Sequence, residues 1–282
     1  MATGTVHPAE LELAHEAAQC VVRTHRRIAE FIRAGQTLGQ IDREIARILH
    51  DLDCQSCFKD YQIGLGPKFP SHACLSLNDC VVHGTAGAVT RPLVAGDVLK
   101  IDIGVWHKGF VGDAAWTYAI KDYPSAEVRR LMECGKESLR RGVQTLHPDN
   151  TWLEWARTVQ ECVEGEFGFH LVRGLGGHGY GKKTGKACRN WGLHGPPFVS
   201  NVVPEYASDW PESTQRCAPG TLVAVEPMIA VGTGATRQRG NEWPVYSLDG
   251  SMTVHYEHDV YIGADGPRVL THGLEEQPDV VG

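Results

Sequence analysis

Leu11, Ala14, Ala18, Val21, Val22, Ile28, Phe31 and Ile32 recur close to helical period, which predicts an amphipathic helix over 11–34 that Gly35 stops. Thr37 follows as an N-cap, with Gln40 at the capping-box position and Ile41, Ile45, Ile48 and Leu49 on one face of a second helix. From about Cys74 to Ala119 the pattern is strand-like, broken by glycine-rich turns. The order then repeats. Ser125 to Gly142 reads as helical, and Thr151 with Glu154 caps a further helix running to about Gly165. Strands and glycine-rich turns fill most of the remainder. Two rounds of helix, capped helix and strands predict an α+β fold of duplicated halves related by a pseudo-twofold. Two unrelated α+β domains are the alternative, but no Pro/Ser-rich break separates the halves. The expected organisation is an extension over 1–10, one domain over 11–263 and a tail over 264–282, mobile from Leu274 on.

Composition narrows the function classes. The chain has 282 residues, 42% hydrophobic and 22% charged, and its formal net charge of -7 argues against a dedicated nucleic-acid binder. No segment approaches the roughly 18–20 apolar residues of a membrane span. The N-terminus lacks the layout of a signal peptide, so a cytoplasmic protein is expected. Nine cysteines, an odd number without a disulfide framework, agree with a reducing compartment. Cys54 and Cys57 form a CxxC with no second pair at zinc-site spacing, which favours packing over redox or metal roles.

The chemistry lies in acids and histidines. Val98–Val105 and Phe110–Ile120 read as strands joined by a turn near His107, Lys108 and Gly109, and folding there sets Asp102 directly opposite Asp113. Like charges so placed destabilise by up to about 1 kcal/mol at a surface and by more when buried. A bound divalent cation removes the objection. GTLVAVEPMIAVG reads as an apolar strand around Glu226, and MTVHYEHDVYIG as another around Glu257; neither contains Lys or Arg. His178 sits in GLGGHGYG, a predicted glycine-rich turn where backbone can approach a ligand. Four carboxylates and one imidazole suit two carboxylate-bridged divalent ions rather than a thiolate zinc site. Paired ions activate water and stabilise a tetrahedral intermediate, so hydrolysis is the expected reaction.

The ordered segments SLNDCVVHG, KIDIGVWHKGFVGDAAWTY, GGHGYG, VEPM and HYEHDV resemble type I methionine aminopeptidases, of the pita-bread metallopeptidase family, from about Leu11 to Gly263. The resemblance implies a pita-bread fold, with two helix–helix–strand halves around a curved antiparallel sheet. It implies that Asp102 chelates one metal, Asp113 and Glu257 bridge, and His178 and Glu226 hold the other. Glu226 is also implied as proton shuttle, in attack by a metal-bridged water or hydroxide on the first peptide carbonyl. His83 matches the histidine at the scissile amide, and His194, in GLHGPP, the one that supports the carbonyl. Phe69, Cys74 and Trp243 match the walls of the methionine pocket. Cobalt, manganese, iron and zinc all suit such ligands. The implied substrates are peptide or nascent-chain N-termini with a small second residue, and the implied state is a monomer.

Two departures qualify the likeness. The sixteen residues from His178 to His194 exceed the family's short run, carry Lys182, Lys183, Lys186 and Arg189 without an acid, and put Leu193 where the family has phenylalanine. That basic segment, 182–189, reads as a solvated loop or as a contact for an anionic partner such as the ribosome. Upstream, QIGLGPKFP puts Ile63 and Gly66 near positions where a cysteine and a tyrosine often line the pocket. A same-fold Xaa-Pro peptidase, which usually carries an added N-terminal domain not seen here, is one alternative, and a specialised-pathway amidohydrolase is another. A catalytically dead binding protein would have lost metal ligands, whereas all five are retained.

Overall fold

Helix α1 spans Leu11–Phe31 and α2 spans Leu38–Asp51 in a computed structural model that describes residues 6–7, 10–182 and 191–282. α1 stops three residues before the predicted end because Ile32 already turns extended. The box before α2 is as predicted: Gln40 N donates to Thr37 Oγ1, and Thr37 N donates to Gln40 Oε1 at 2.8 Å. The strands that follow include β1 (Cys74–Leu77), β2 (Val98–His107) and β3 (Phe110–Ile120). In the second half α3 runs over Ala126–Gln144, capped by Ser125 Oγ, and α4 over Trp152–Gln160. α4 does not continue as α-helix to Gly165. It widens into a π-turn over Glu161–Glu166, where Phe167 N donates to Cys162 O.

The later strands are β4 (Gly176–Lys182), β5 (Trp191–Ser200), β6 (Leu222–Val225), β7 (Met228–Ala230), β8 (Thr253–His255), β9 (His258–Gly263), β10 (Gly266–Val269) and β11 (Val280–Val281). One five-stranded sheet holds β1, β2, β3, β11 and a short strand at Gln55–Ser56; the other runs β10-β9-β6-β4-β5. β7 and β8 belong to a separate three-stranded sheet. The helices cover the outer faces, and their apolar stripes form the core with Ile101, Ile103, Trp116 and Tyr118. α1 packs so closely on β3 that a Cβ at Gly112 would stand 2.5 Å from the Ala17 carbonyl oxygen. These are the α+β elements and mainly antiparallel sheets of a pita-bread fold.

One expectation about the chain end changes. The residues from Leu274 on are docked rather than mobile: Leu274 is fully buried, β11 pairs in parallel with β3, and Lys136 Nζ lies 2.6 Å from Asp279 Oδ2. Of the basic segment 182–189, only the backbone of Lys182 falls within the described residues; Lys183, Lys186 and Arg189 lie outside them. Among the described residues no helix is long and apolar enough to cross a membrane.

Candidate metal centre and active-site cavity

The β2–β3 hairpin turns on two residues, Lys108 and Gly109, at φ of 49° and 88°. That turn is tighter than one including His107, and it shifts the register. Asp102 faces Ala115 and Asp113 faces Gly104, so the two aspartates are diagonal neighbours on one face instead of directly opposed. β1 adds Cys74 beside Asp102, its register partner across the ladder.

The two apolar segments around Glu226 and Glu257 are not continuous strands. β6 ends before Glu226-Pro227 and β7 begins after it; β8 ends before Tyr256-Glu257 and β9 begins after it. Val225 pairs with His258 and Met228 with His255, so both breaks lie side by side where the chain passes from one sheet to the other. Pro227 has no N–H for a ladder, which fits a break there. Glu257 N donates instead to Ala115 O on β3 at 2.9 Å, tying its break to the aspartate hairpin.

His178 lies within β4, paired with Ala224 and Phe198, rather than in a turn. Its flanking glycines are required by close backbone contact: a Cβ at Gly177 would stand 2.3 Å from Ala224 O, and one at Gly179 2.2 Å from Pro196 O. His178 Nδ1 is 3.1 Å from Gly179 O, which leaves Nε2 facing Asp113 Oδ2 and Glu226 Oε1, each at 3.9 Å.

All ten residues singled out in the sequence line one cavity of about 340 Å³: Asp102, Asp113, His178, Glu226, Glu257, His83, His194, Phe69, Cys74 and Trp243. Its acidic end contains two overlapping ligand clusters, Asp113–His178–Glu257 and Glu226–His255–Glu257, each with donor atoms within 4.8 Å of one another. Burial pushes the carboxyls up, Asp102 to about 7 and Glu226 to about 8, and neighbouring carboxylates add to it for Asp113 and Glu257. The ion-pair partners of this set among the described residues are histidines, and burial holds those neutral, His178 at about 3 and His255 at about 4. Buried Asp102 Oδ1 and Asp113 Oδ1 have no hydrogen-bond partner. Four buried carboxylates without positive counter-charge, two with unpartnered oxygens, fit a pair of divalent cations.

Three neighbours of this set went unnoticed in the sequence. His255 Nε2 stands 3.2 Å from Glu226 Oε2, out of line for a hydrogen bond. Asp259 accepts from Asp113 N at 2.9 Å and from the Tyr180 hydroxyl, and so fixes a ligand strand. Tyr61 OH lies 2.8 Å from His194 Nδ1. The alternation of HYEHD offered a signal for His255 and Asp259, which flank Glu257 at two-residue spacing. Nothing local to Tyr61 pointed to His194, 133 positions away.

At the apolar end, Phe58, Tyr61, Ile63, Phe69, Leu193 and Trp243 form the walls, with Phe69 edge-on to Trp243 at 5.3 Å. Ile63 is present as expected, but Gly66 is not among the lining residues, and Tyr61 supplies an aromatic hydroxyl from two positions upstream. His83 sits between the two ends, with φ of 57° and its ring edge-on to Trp243.

An oxygen-rich site for two divalent cations, opening onto a small apolar chamber in an α+β fold, defines a metal-dependent hydrolase. The chain belongs to metallopeptidase family M24, whose sequence profile matches residues 12–264. It is 31% identical to methionine aminopeptidase 1 of Bacillus subtilis, over 94% of this chain and 97% of that protein. It is 32% identical to the methionine aminopeptidase of Clostridium acetobutylicum, over 93% and 96%. The methionine aminopeptidase structure from Thermotoga maritima superposes with a TM-score of 0.82 at 25% identity, over 96% of this chain and 99% of that one. The Xaa-Pro dipeptidase of Bacillus anthracis shares the fold at a TM-score of 0.69 and 19% identity, over 95% of this chain and 62% of that one.

Proposed function

We propose that this chain removes the N-terminal methionine from peptides and nascent proteins with a small second residue. The observation that carries this reading is the continuity of the acidic centre with a chamber lined by Cys74, Phe69, Tyr61 and Trp243. Sulfur and aromatic edges suit an unbranched thioether, which reaches a distant wall that a branched side chain would not. Asp102, Asp113, His178, Glu226 and Glu257 would hold the cations, which when bound supply Lewis acidity toward the scissile carbonyl and activate water.

The protein's own groups handle protons and orientation. Glu226, which reaches into the cavity beside His178, takes the proton from the attacking water and passes it to the departing amine nitrogen. With the Tyr61 hydroxyl 2.8 Å away and donating to His194 Nδ1, the imidazole proton stays on Nε2, facing the carbonyl oxygen as negative charge develops there. His83, held neutral by burial at about 4, hydrogen-bonds the peptide beyond the scissile bond. Nascent chains place this work in the cytoplasm, where the eight free cysteines of the described residues stay reduced.

The test is kcat/KM on Met-Ala-Ser against Xaa-Pro peptides, with the metal-loaded enzyme. Preference for Met-Ala-Ser is expected. Turnover of Xaa-Pro substrates with none of Met-Ala-Ser would refute the proposal.

A further inference from the structure

A second group of metal-binding side chains lies away from the cavity. Cys54 opens the CxxC, but Cys57 packs in the apolar cluster beside Phe58. The true neighbour of Cys54 is Cys20, near the middle of α1, with the two sulfurs within 4.8 Å of each other. His107, the last residue of β2, completes the group: the three ligand atoms lie within 4.8 Å of one another. His107 Nδ1 is 3.6 Å from Cys54 Sγ and 3.2 Å from the carbonyl oxygen of Asp53, a residue turned by its φ of 54°. On the other side of the ring, Nε2 faces Glu16 Oε2 at 3.7 Å, and Glu16 is held by Lys108. Arg23 Nη2 donates to Cys20 Sγ at 2.9 Å.

We propose that Cys20, Cys54 and His107 bind a zinc ion, with the Asp53 carbonyl as fourth ligand. The spacing supports this. Tetrahedral bonds of about 2.3 Å to sulfur and about 2.0 Å to nitrogen set the two donors roughly 3.5 Å apart. Two sulfurs and an imidazole disfavour magnesium and calcium and select zinc. Glu16 behind the imidazole is the carboxylate that commonly orients a metal-binding histidine. The neighbouring Cys54, and then His107 and Arg23, hold the Cys20 thiol down at about 6, while the contact with Cys20 and burial push the Cys54 thiol up; a dication between them allows both to ionise. A Cys20–Cys54 disulfide would use the same sulfurs but give His107 and the Asp53 carbonyl no part.

The ion would join α1, the turn after α2 and the tip of the β2–β3 hairpin. None of its ligands lines the cavity. Its role is therefore to fasten the hairpin that presents Asp102 and Asp113, rather than to act on substrate.

Cobalt substitution of the full chain tests the site, because thiolate ligands give an intense ligand-to-cobalt charge-transfer band that a carboxylate and histidine centre lacks. The wild type should show the band. His178→Ala, altered only in the cavity, should keep it, which separates this site from the proposed catalytic centre. Cys20→Ser with Cys54→Ser should abolish the band and remove one metal equivalent. His107→Ala, which spares both thiols, should weaken cobalt binding at least tenfold. No band at saturating cobalt in a folded wild type, a band surviving in the double serine variant, or a Cys20–Cys54 disulfide in freshly purified protein would each overturn the proposal.

Discussion

Replacing Tyr61 by phenylalanine isolates one hydrogen bond without reshaping the chamber. The ring still packs near Trp243, at 6.4 Å between centroids, and only the hydroxyl 2.8 Å from His194 Nδ1 is lost. With the hydroxyl donating, as proposed, that contact holds the imidazole proton on Nε2, so its loss lets the proton shift to Nδ1 and turns an oxyanion donor into an acceptor. A hydrogen bond of this kind is worth about 1 kcal/mol, or roughly fivefold in rate, with an oxyanion donor as the upper bound at about 100-fold or more. We expect Tyr61→Phe to lower kcat on Met-Ala-Ser about fivefold to tenfold, with metal content and KM little changed. His194→Ala should lose on the order of 100-fold. The decisive measurement is the double-mutant cycle: in the His194→Ala background, Tyr61→Phe should cost nothing further. If the tyrosine change costs the same in both backgrounds, Tyr61 acts on the pocket and not through His194.

Glu257→Ala should strip metal and activity together, since Glu257 belongs to both ligand clusters; a metal-free variant with full activity would remove Glu257 from the centre. Gly112→Ala forces a methyl into the α1 backbone at Ala17 and should destabilise the fold by about 1–3 kcal/mol in urea denaturation, with an unchanged midpoint as the contrary result. His25 is buried beside Tyr118 OH, and burial lowers it to about 4 from an ordinary 6.5. The unfolded chain therefore takes up a proton that the fold refuses, so stability drops as pH falls from about 6.5 to about 4, by about 3 kcal/mol in all. His25→Gln should flatten that acid limb by about one proton; identical slopes would show that His25 is not its source.

Local rules carried far in this chain. The Thr37 and Thr151 capping boxes were legible because each is settled by contacts three residues apart. Asp102 and Asp113 could be assigned to one face because strand alternation has a period of two. Their register could not, since it depends on whether the turn takes two residues or more, and Lys108 and Gly109 gave the shorter one. Glu226 and Glu257 were found as acids in apolar runs without Lys or Arg, yet the runs break at those residues. The cause is the passage between two sheets, which strand pairing decides. The last residues looked mobile because nothing in their own sequence shows the open edge of β3 that receives them. Sequence by itself determined the ten candidate side chains that line the cavity, because residue type and periodicity are local properties. Tertiary structure alone decided which groups meet: Tyr61 with His194, Asp259 with the backbone of Asp113, and Cys20 with Cys54. Those contacts join elements far apart in the chain, and only the packing of helices against sheets brings them together.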